Sequence, residues 1–257
     1  MDLKNIELQI ADGIGRITLD SPHKHNTIDL QFTRELAFAA RLLESDPSVK
    51  LAVLGANGSA FSFGGDLQDF IAHRDVIQTH IREMTVQFHS AILSLCRMRA
   101  PVIAAVKGMA AGGGFSLVCM SDMAIAQRSA KFNFAYTRLG LTPDGGATYF
   151  LTRLVGPQKA FDIMATNPTL SAEQAQALGI VARVTDDDKF DAELATLIAN
   201  LMALPSQALS RLKGLLRASS NSSLEEQFEH EARSISEIAA TPETMATLEA
   251  FLERGRD

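Results

Sequence analysis

Pro101-Val102-Ile103-Ala104-Ala105-Val106-Lys107-Gly108-Met109-Ala110-Ala111-Gly112-Gly113-Gly114-Phe115 is the stretch that decides the fold. Val102 to Val106 is a short apolar run of the kind found in strands buried on both faces. Glycines follow directly. After a strand they let the backbone approach a ligand closely and expose its N–H groups. Apolar residues resume at Phe115, so the N–H groups of Gly112 to Gly114 stand at a helix start, where the helix dipole favours negative charge. Strand, glycine loop and helix in succession is the unit from which α/β folds are built.

The same alternation extends to either side. Strand-sized apolar runs recur at Leu51 to Leu54, Met123 to Ala126 and Ile180 to Val184, with helical patterns between them. Ile6, Leu8 and Ile10 alternate, Ala11-Asp12-Gly13 supplies a turn, and Ile17 and Leu19 alternate again, which predicts an N-terminal β-hairpin. Asp29 is placed to cap a helix through about Leu43, with Phe32, Leu36, Ala39, Ala40 and Leu43 on one stripe. A second helix over 77–96 carries Ile81, Met84, Phe88, Ile92 and Leu95 on a core face. From Pro205 onward only helical patterns remain, and Pro205 and Pro242 suit helix starts. The expected organisation is an α/β core over 1–200 and a helical region over 201–257. A helical tail of this kind commonly serves packing or oligomerisation.

Composition excludes several classes. The chain has 257 residues, 46% hydrophobic and 21% charged, an ordinary globular balance. A net charge of −6 disfavours nucleic acid and anionic membrane as partners. No run of eighteen or more apolar residues occurs and the first ten residues do not read as a secretory signal, so the expectation is cytoplasmic. Cys96 and Cys119 lie in apolar runs and read as small buried hydrophobes. The six histidines show no HxxxH spacing and there is no CxxC, so no metal site is expected. His89 reads as a partly buried polar residue of its helix. Ser210-Arg211-Leu212-Lys213 matches S-x-x-K inside a helical segment and reads as accidental.

Three stretches can carry chemistry. Phe61-Ser62-Phe63-Gly64-Gly65-Asp66-Leu67 and Gly108 to Phe115 are glycine loops, and two such loops converging make an oxyanion hole. Taken singly, a tight turn with close helix packing explains either. Neither has the spacing of a dinucleotide fingerprint or a P-loop. The third stretch is Leu139-Gly140-Leu141-Thr142-Pro143-Asp144-Gly145-Gly146, before an apolar helix from about Ala147. Asp144 there is either an N-cap or a carboxylate facing a ligand, where it can act as a base.

Together these stretches resemble the crotonase (enoyl-CoA hydratase/isomerase) superfamily, from about residue 5 to residue 254. Pro22-His23-Lys24-His25-Asn26-Thr27 stands where that family has a P-x-x-x-N-A-type segment. Ala60 to Leu67 is similar to A-F-[SC]-A-G-[GA]-D-L, and Pro101 to Gly114 to P-V-I-A-A-V-x-G-x-A-x-G-G-G. Ser121-Asp122 and Leu154-Val155-Gly156 match two further family segments. The resemblance implies a spiral of ββα units, a C-terminal trimerisation region, a homotrimer or hexamer, and an acyl-CoA thioester substrate with no separate cofactor. It puts the oxyanion donors at the N–H groups of Gly65 and Gly113. Adenine contacts fall on backbone around Ala60 to Asp66, which includes Phe63 and Gly64 beside Leu67, and a phosphate contact falls on Lys24.

The departures from the family pattern direct the choice of reaction. Typical hydratases of the family carry two glutamates where this chain has Ser116 and Tyr136. Asp144 is similar to the acidic residue of the enoyl-CoA and ring-1,2-epoxyphenylacetyl-CoA isomerase branches. The expectation is therefore an acyl-CoA double-bond isomerase, with Ser116 and Tyr136 lining the substrate site. Enoyl-CoA hydratase and a non-catalytic acyl-CoA-binding protein are the alternatives. Phe63 stands where the family usually has a small residue, and it is expected to narrow the CoA channel.

Overall fold

The computed structural model describes residues 3–254. Among them the strands are β1 (Ile6–Ala11), β2 (Ile14–Leu19), β3 (Leu51–Ala56), β4 (Ala60–Ser62), β5 (Val102–Val106), β6 (Met109–Ala111), β7 (Met123–Gln127), β8 (Lys131–Asn133), β9 (Leu170–Ser171) and β10 (Arg183–Thr185). The helices are α1 (Leu30–Ser45), α2 (Leu67–Ala72), α3 (Ile77–Arg97), α4 (Gly113–Met120), α5 (Ala147–Val155), α6 (Pro157–Thr166), α7 (Ala172–Ala177), α8 (Phe190–Met202), α9 (Ser206–Ser219), α10 (Leu224–Ala239) and α11 (Pro242–Arg254).

Six strands form one sheet in the order β1-β2-β3-β5-β7-β10. β1 and β2 are the expected antiparallel hairpin, and the other pairings are parallel. Asp12 and Gly13 both take positive φ, 52° and 77°, as a two-residue turn between twisted strands requires. Leu51 to Leu54 and Val102 to Val106 are buried throughout, which is why they read as continuous apolar runs rather than alternations. The last strand begins later than the sequence suggests. Ile180 and Val181 are buried in the turn after α7, with the Ile180 N–H on the Ala175 carbonyl at 2.9 Å.

A second sheet, β4-β6-β8-β9, is parallel except at its β9 edge. Sequence reading missed it, because strands of two or three residues are too short to display a period.

α1 forms as expected. The Asp29 carboxylate accepts the Phe32 N–H at 2.8 Å, and Phe32, Leu36, Ala39, Ala40 and Leu43 are all buried. They pack against α3, whose Met84, Phe88, Ile92 and Leu95 are buried in turn. Each such side chain contributes ~1.5–3 kcal/mol on leaving water. Glu35 is fully buried in this layer. Its carboxylate accepts the N–H groups of Lys4 and Asn5 at 2.9 and 2.7 Å and the Gln31 amide at 2.7 Å, so the charge is not left unpaired. Cys119 is buried, and burial pushes its thiol well above the usual range.

The chain divides into two compact units, one up to Ala199 and one from Asn200 on. In the second, Ser223 and Glu226 form a reciprocal capping box at the start of α10. No helix among the described residues is long and apolar enough to cross a membrane.

Candidate active site

Two loops of the first unit meet at Gly64 and Gly112. A β-carbon on Gly64, at φ 80°, would come within 2.8 Å of the Ala111 carbonyl oxygen and 3.1 Å of the Gly112 α-carbon. Only glycine allows that approach. The Ile28 N–H donates to the Gly64 carbonyl at 2.8 Å, and the Asp66 N–H donates to the Ile28 carbonyl at 3.0 Å. Extended backbone alternates, so the Gly65 N–H between them turns away from this pairing. Gly113 is the first residue of α4, and its N–H has no acceptor within the helix. Neither N–H has a hydrogen-bond partner among the described residues, and both glycines line one cavity.

Asp144 lines the same cavity. Its Oδ1 accepts the Tyr136 hydroxyl at 2.5 Å, and its backbone carbonyl accepts the Ser116 hydroxyl at 3.1 Å. Ala135 takes φ 59°, a left-handed conformation that costs ~1–3 kcal/mol away from glycine, just before the turn that carries Tyr136. Burial, and then the Asp144 charge beside it, push the Tyr136 phenol well above its usual range, so it stays a donor. The N-cap alternative for Asp144 is corrected here. Gly146 caps α5 without a side-chain bond, because the Asp144 side chain is turned to Tyr136. Oδ2 has no hydrogen-bond partner among the described residues.

The cavity that these residues line is largely apolar, with about 670 Å³ of open space including its mouth. Phe70, Phe88 and Phe134 face it, and Leu67, Ile81 and Met84 extend its wall.

The other expected contact residues divide. Phe63, Leu67 and Tyr136 line the cavity with Gly65, Gly113 and Asp144. Phe63 is exposed and stacks on His25, with ring centroids 4.7 Å apart. Ser116 is fully buried and does not line the cavity. Its hydroxyl bonds the carbonyls of Gly112 (3.3 Å) and Asp144 (3.1 Å), so it braces the Asp144 loop from behind. Ala60 is buried in β4, and Asp66 caps α2 through the N–H groups of Gln68 and Asp69. Lys24 lies 3.4 Å from Asp29 and 3.8 Å from Asp66.

Two features had no signal in the spacing of the sequence. His89 Nε2 accepts the Gly145 N–H at 3.2 Å, which puts an imidazole next to the Asp144 loop on the outside of the cavity. Asp69, His73 and His80 cluster within 4.8 Å, across the break between α2 and α3. His80 Nε2 lies 2.6 Å from Asp69 Oδ2, and His73 Nδ1 lies 3.2 Å from Oδ1. The two rings stack at 3.9 Å and 5°, so their lone pairs run side by side instead of converging as ligands do. As placed, the cluster is a hydrogen-bonded clip between helices.

Residues 9–257 match the family model described as Enoyl-CoA hydratase/isomerase. The chain is similar to 4-chlorobenzoyl coenzyme A dehalogenase-2 of Arthrobacter sp, at 31% identity over 96% of this chain and 90% of that one. It is 31% identical to the 1,2-epoxyphenylacetyl-CoA isomerase of Escherichia coli, over 86% and 85% of the two chains. Among solved structures, an enoyl-CoA hydratase from Polaromonas sp. JS666 superposes with a TM-score of 0.91 at 27% identity, covering 97% of each chain.

Proposed function

The chain belongs to the enoyl-CoA hydratase/isomerase family and has the crotonase fold; on that premise we propose that it is an acyl-CoA isomerase that moves a double bond by proton transfer through Asp144. One observation carries this reading. A single carboxylate, steered through Oδ1 by Tyr136, lines the same apolar cavity as two backbone donors.

The thioester carbonyl oxygen accepts the N–H groups of Gly65 and Gly113. Asp144 Oδ2 takes a proton from C2 of a 3-enoyl thioester, and the electron pair left behind delocalises onto that oxygen. Neutral Asp144 then returns the proton at C4, and the double bond moves from C3–C4 to C2–C3. No water enters and no charge is left over. Each oxyanion donor is worth ~10²–10³ in rate, and the positioned base ~10²–10⁴.

Hydration needs a further acid or base to handle water. The family's two glutamate positions hold Ser116 and Tyr136, and both hydroxyls are already bonded to Asp144. Incubation with 3-enoyl-CoA is expected to yield the 2-enoyl isomer, while crotonyl-CoA is hydrated far more slowly. Robust hydration of crotonyl-CoA would reverse that order.

His89 favours one second reading. The same carboxylate can attack a halogen-bearing ring carbon, expel halide and form an aryl ester, while charge collects on the thioester oxygen. Water activated by His89 then hydrolyses the ester and regenerates Asp144. Similarity to an Arthrobacter dehalogenase supports this. The Gly145 N–H that His89 already accepts weighs against it. Chloride release from 4-chlorobenzoyl-CoA, abolished in His89→Ala, is its test; absence of chloride removes it.

A further inference from the structure

The clip of Asp69, His73 and His80 stands at a weak point of the cavity wall. α2 supplies Leu67 and Phe70 to the cavity, and α3 supplies Met84 and Phe88. α2 has no fully buried residue, and its Leu67 and Ile71 are exposed, so apolar burial alone holds it loosely. A single 3-10 turn over 74–76 joins it to α3. The clip spans that joint. His80, on α3, has a side chain only 7% exposed, whereas that of His73, at the end of α2, is 43% exposed. At its other end α2 is capped by the Asp66 side chain, directly after Gly65.

We propose that His73 and His80 are positioning residues for acyl-thioester binding, which hold α2 on α3 through Asp69 and release it when both rings carry a proton. The inference rests on the acyl-CoA reading above. His80 Nε2 faces the Asp69 carboxylate at 2.6 Å, and His73 Nδ1 faces the Asp69 carbonyl at 2.8 Å and the carboxylate at 3.2 Å. These oxygens only accept, so both facing nitrogens carry hydrogen, and the far nitrogen of each ring takes up or loses the titrating proton. One added proton makes an ion pair with Asp69 and tightens the clip. A second leaves one charge unmatched, with the two cationic rings stacked 3.9 Å apart and one of them kept from water by the fold. Among the described residues Asp69 is the only charged partner of either ring. Arg74 pairs with Asp75, Glu83 of α3 with Arg34 of α1, and Asp66 with Lys24, so no second carboxylate pairs with the rings. Release takes Leu67 and Phe70 out of the acyl path and loosens the segment that aims the Gly65 N–H.

The test is the pH dependence of binding, which a purely structural pair of histidines would not impose. Hexanoyl-CoA is the probe, since a saturated chain has no double bond to move. Its dissociation constant is measured by calorimetry at about pH 8 and about pH 5.5, within the span over which imidazoles titrate, for the parent, His73→Phe and His80→Gln. Phenylalanine keeps a flat ring against His80 but takes no proton, and glutamine keeps a donor for Asp69. Titration of Asp144 and of the coenzyme phosphate is common to all three and cancels in the comparison. On acidification the parent is expected to lose about tenfold more affinity than either variant, toward the weak limit of repulsion between unit charges about 4 Å apart. Should His80→Gln not fold, His73→Phe carries the comparison, because His73 is half exposed at a helix end. Parent and His73→Phe weakening alike, within about twofold, overturns the inference alone. Absence of hexanoyl-CoA binding to the parent at both pH values overturns the acyl-CoA reading and this inference with it.

Discussion

The two sides of the cavity are polar in different ways. At Gly65 and Gly113 the polar groups belong to the main chain and are aimed by a parallel bridge and a helix end. At Asp144 the polar group is a side chain, steered by Tyr136 while Ser116 holds the loop behind it. A backbone donor can be displaced only by moving the chain. A carboxylate can be silenced by exchanging one atom. The two sides should therefore fail differently, the glycine side losing stability and rate together and the Asp144 side losing rate alone.

The sharpest way to break that contrast is Asp144→Asn. Tyr136 can still donate to the amide oxygen and no helix cap is lost, so a folded protein with nearly unchanged melting temperature and intact acyl-CoA binding is expected. An amide accepts no proton near neutral pH, so isomerase turnover should fall by ~10²–10⁴. Turnover within a few fold of the parent would make Asp144 a bystander.

Gly64→Ala probes the other side. The new methyl group meets the Ala111 carbonyl and forces the two loops apart, and a misplacement of the order of 1 Å costs ~10² in rate. Here stability falls too, by ~1–3 kcal/mol for the left-handed backbone alone. Thermal melting and turnover measured on one preparation show whether the losses travel together. A stable variant with lost activity would erase the distinction between the two sides.

Tyr136→Phe sharpens the Asp144 side. Losing one hydrogen bond to a charged group, worth ~1.5–3 kcal/mol, sets a rate loss of about 10- to 150-fold at most. Its pH signature is independent of turnover. Because the folded-state phenol lies above its unfolded value near 10, its contribution to stability is complete below that pH and declines as pH rises further. Alkaline denaturation curves should therefore fall less steeply for Tyr136→Phe above about pH 10. Identical alkaline limbs would show that the phenol is not held neutral by the fold.

The smallest effect expected is that of His89→Ala on isomerisation, within about threefold, because the imidazole does not line the cavity and has no role in the proposed proton transfer. A loss approaching that of Asp144→Asn would favour the nucleophilic reading.

The difference between the two sides also governs what could be read without coordinates. The long elements were legible because burial imposes a period: Phe32 to Leu43 at helical spacing, Val102 to Val106 as an unbroken apolar run, and the hairpin alternation around Asp12-Gly13. The glycine loops were legible as places where a chain without side chains follows a strand. The four-stranded second sheet was not, since its strands are held by neighbours distant in sequence rather than by their own pattern. Nor was the clip of Asp69, His73 and His80, which exists only because α2 and α3 fold against each other.

By itself the sequence determined the α/β core, the helical C-terminal region, and a motif order that marks the family, because backbone geometry and apolar periodicity are local properties. Only the tertiary structure decided that Asp144 turns to Tyr136 instead of capping α5, that Ser116 braces its loop rather than facing the cavity, and that His89 stands at Gly145. A carboxylate, a hydroxyl or an imidazole takes its role from whichever partners come within about 3 Å. Here those partners lie eight to fifty-six residues away along the chain.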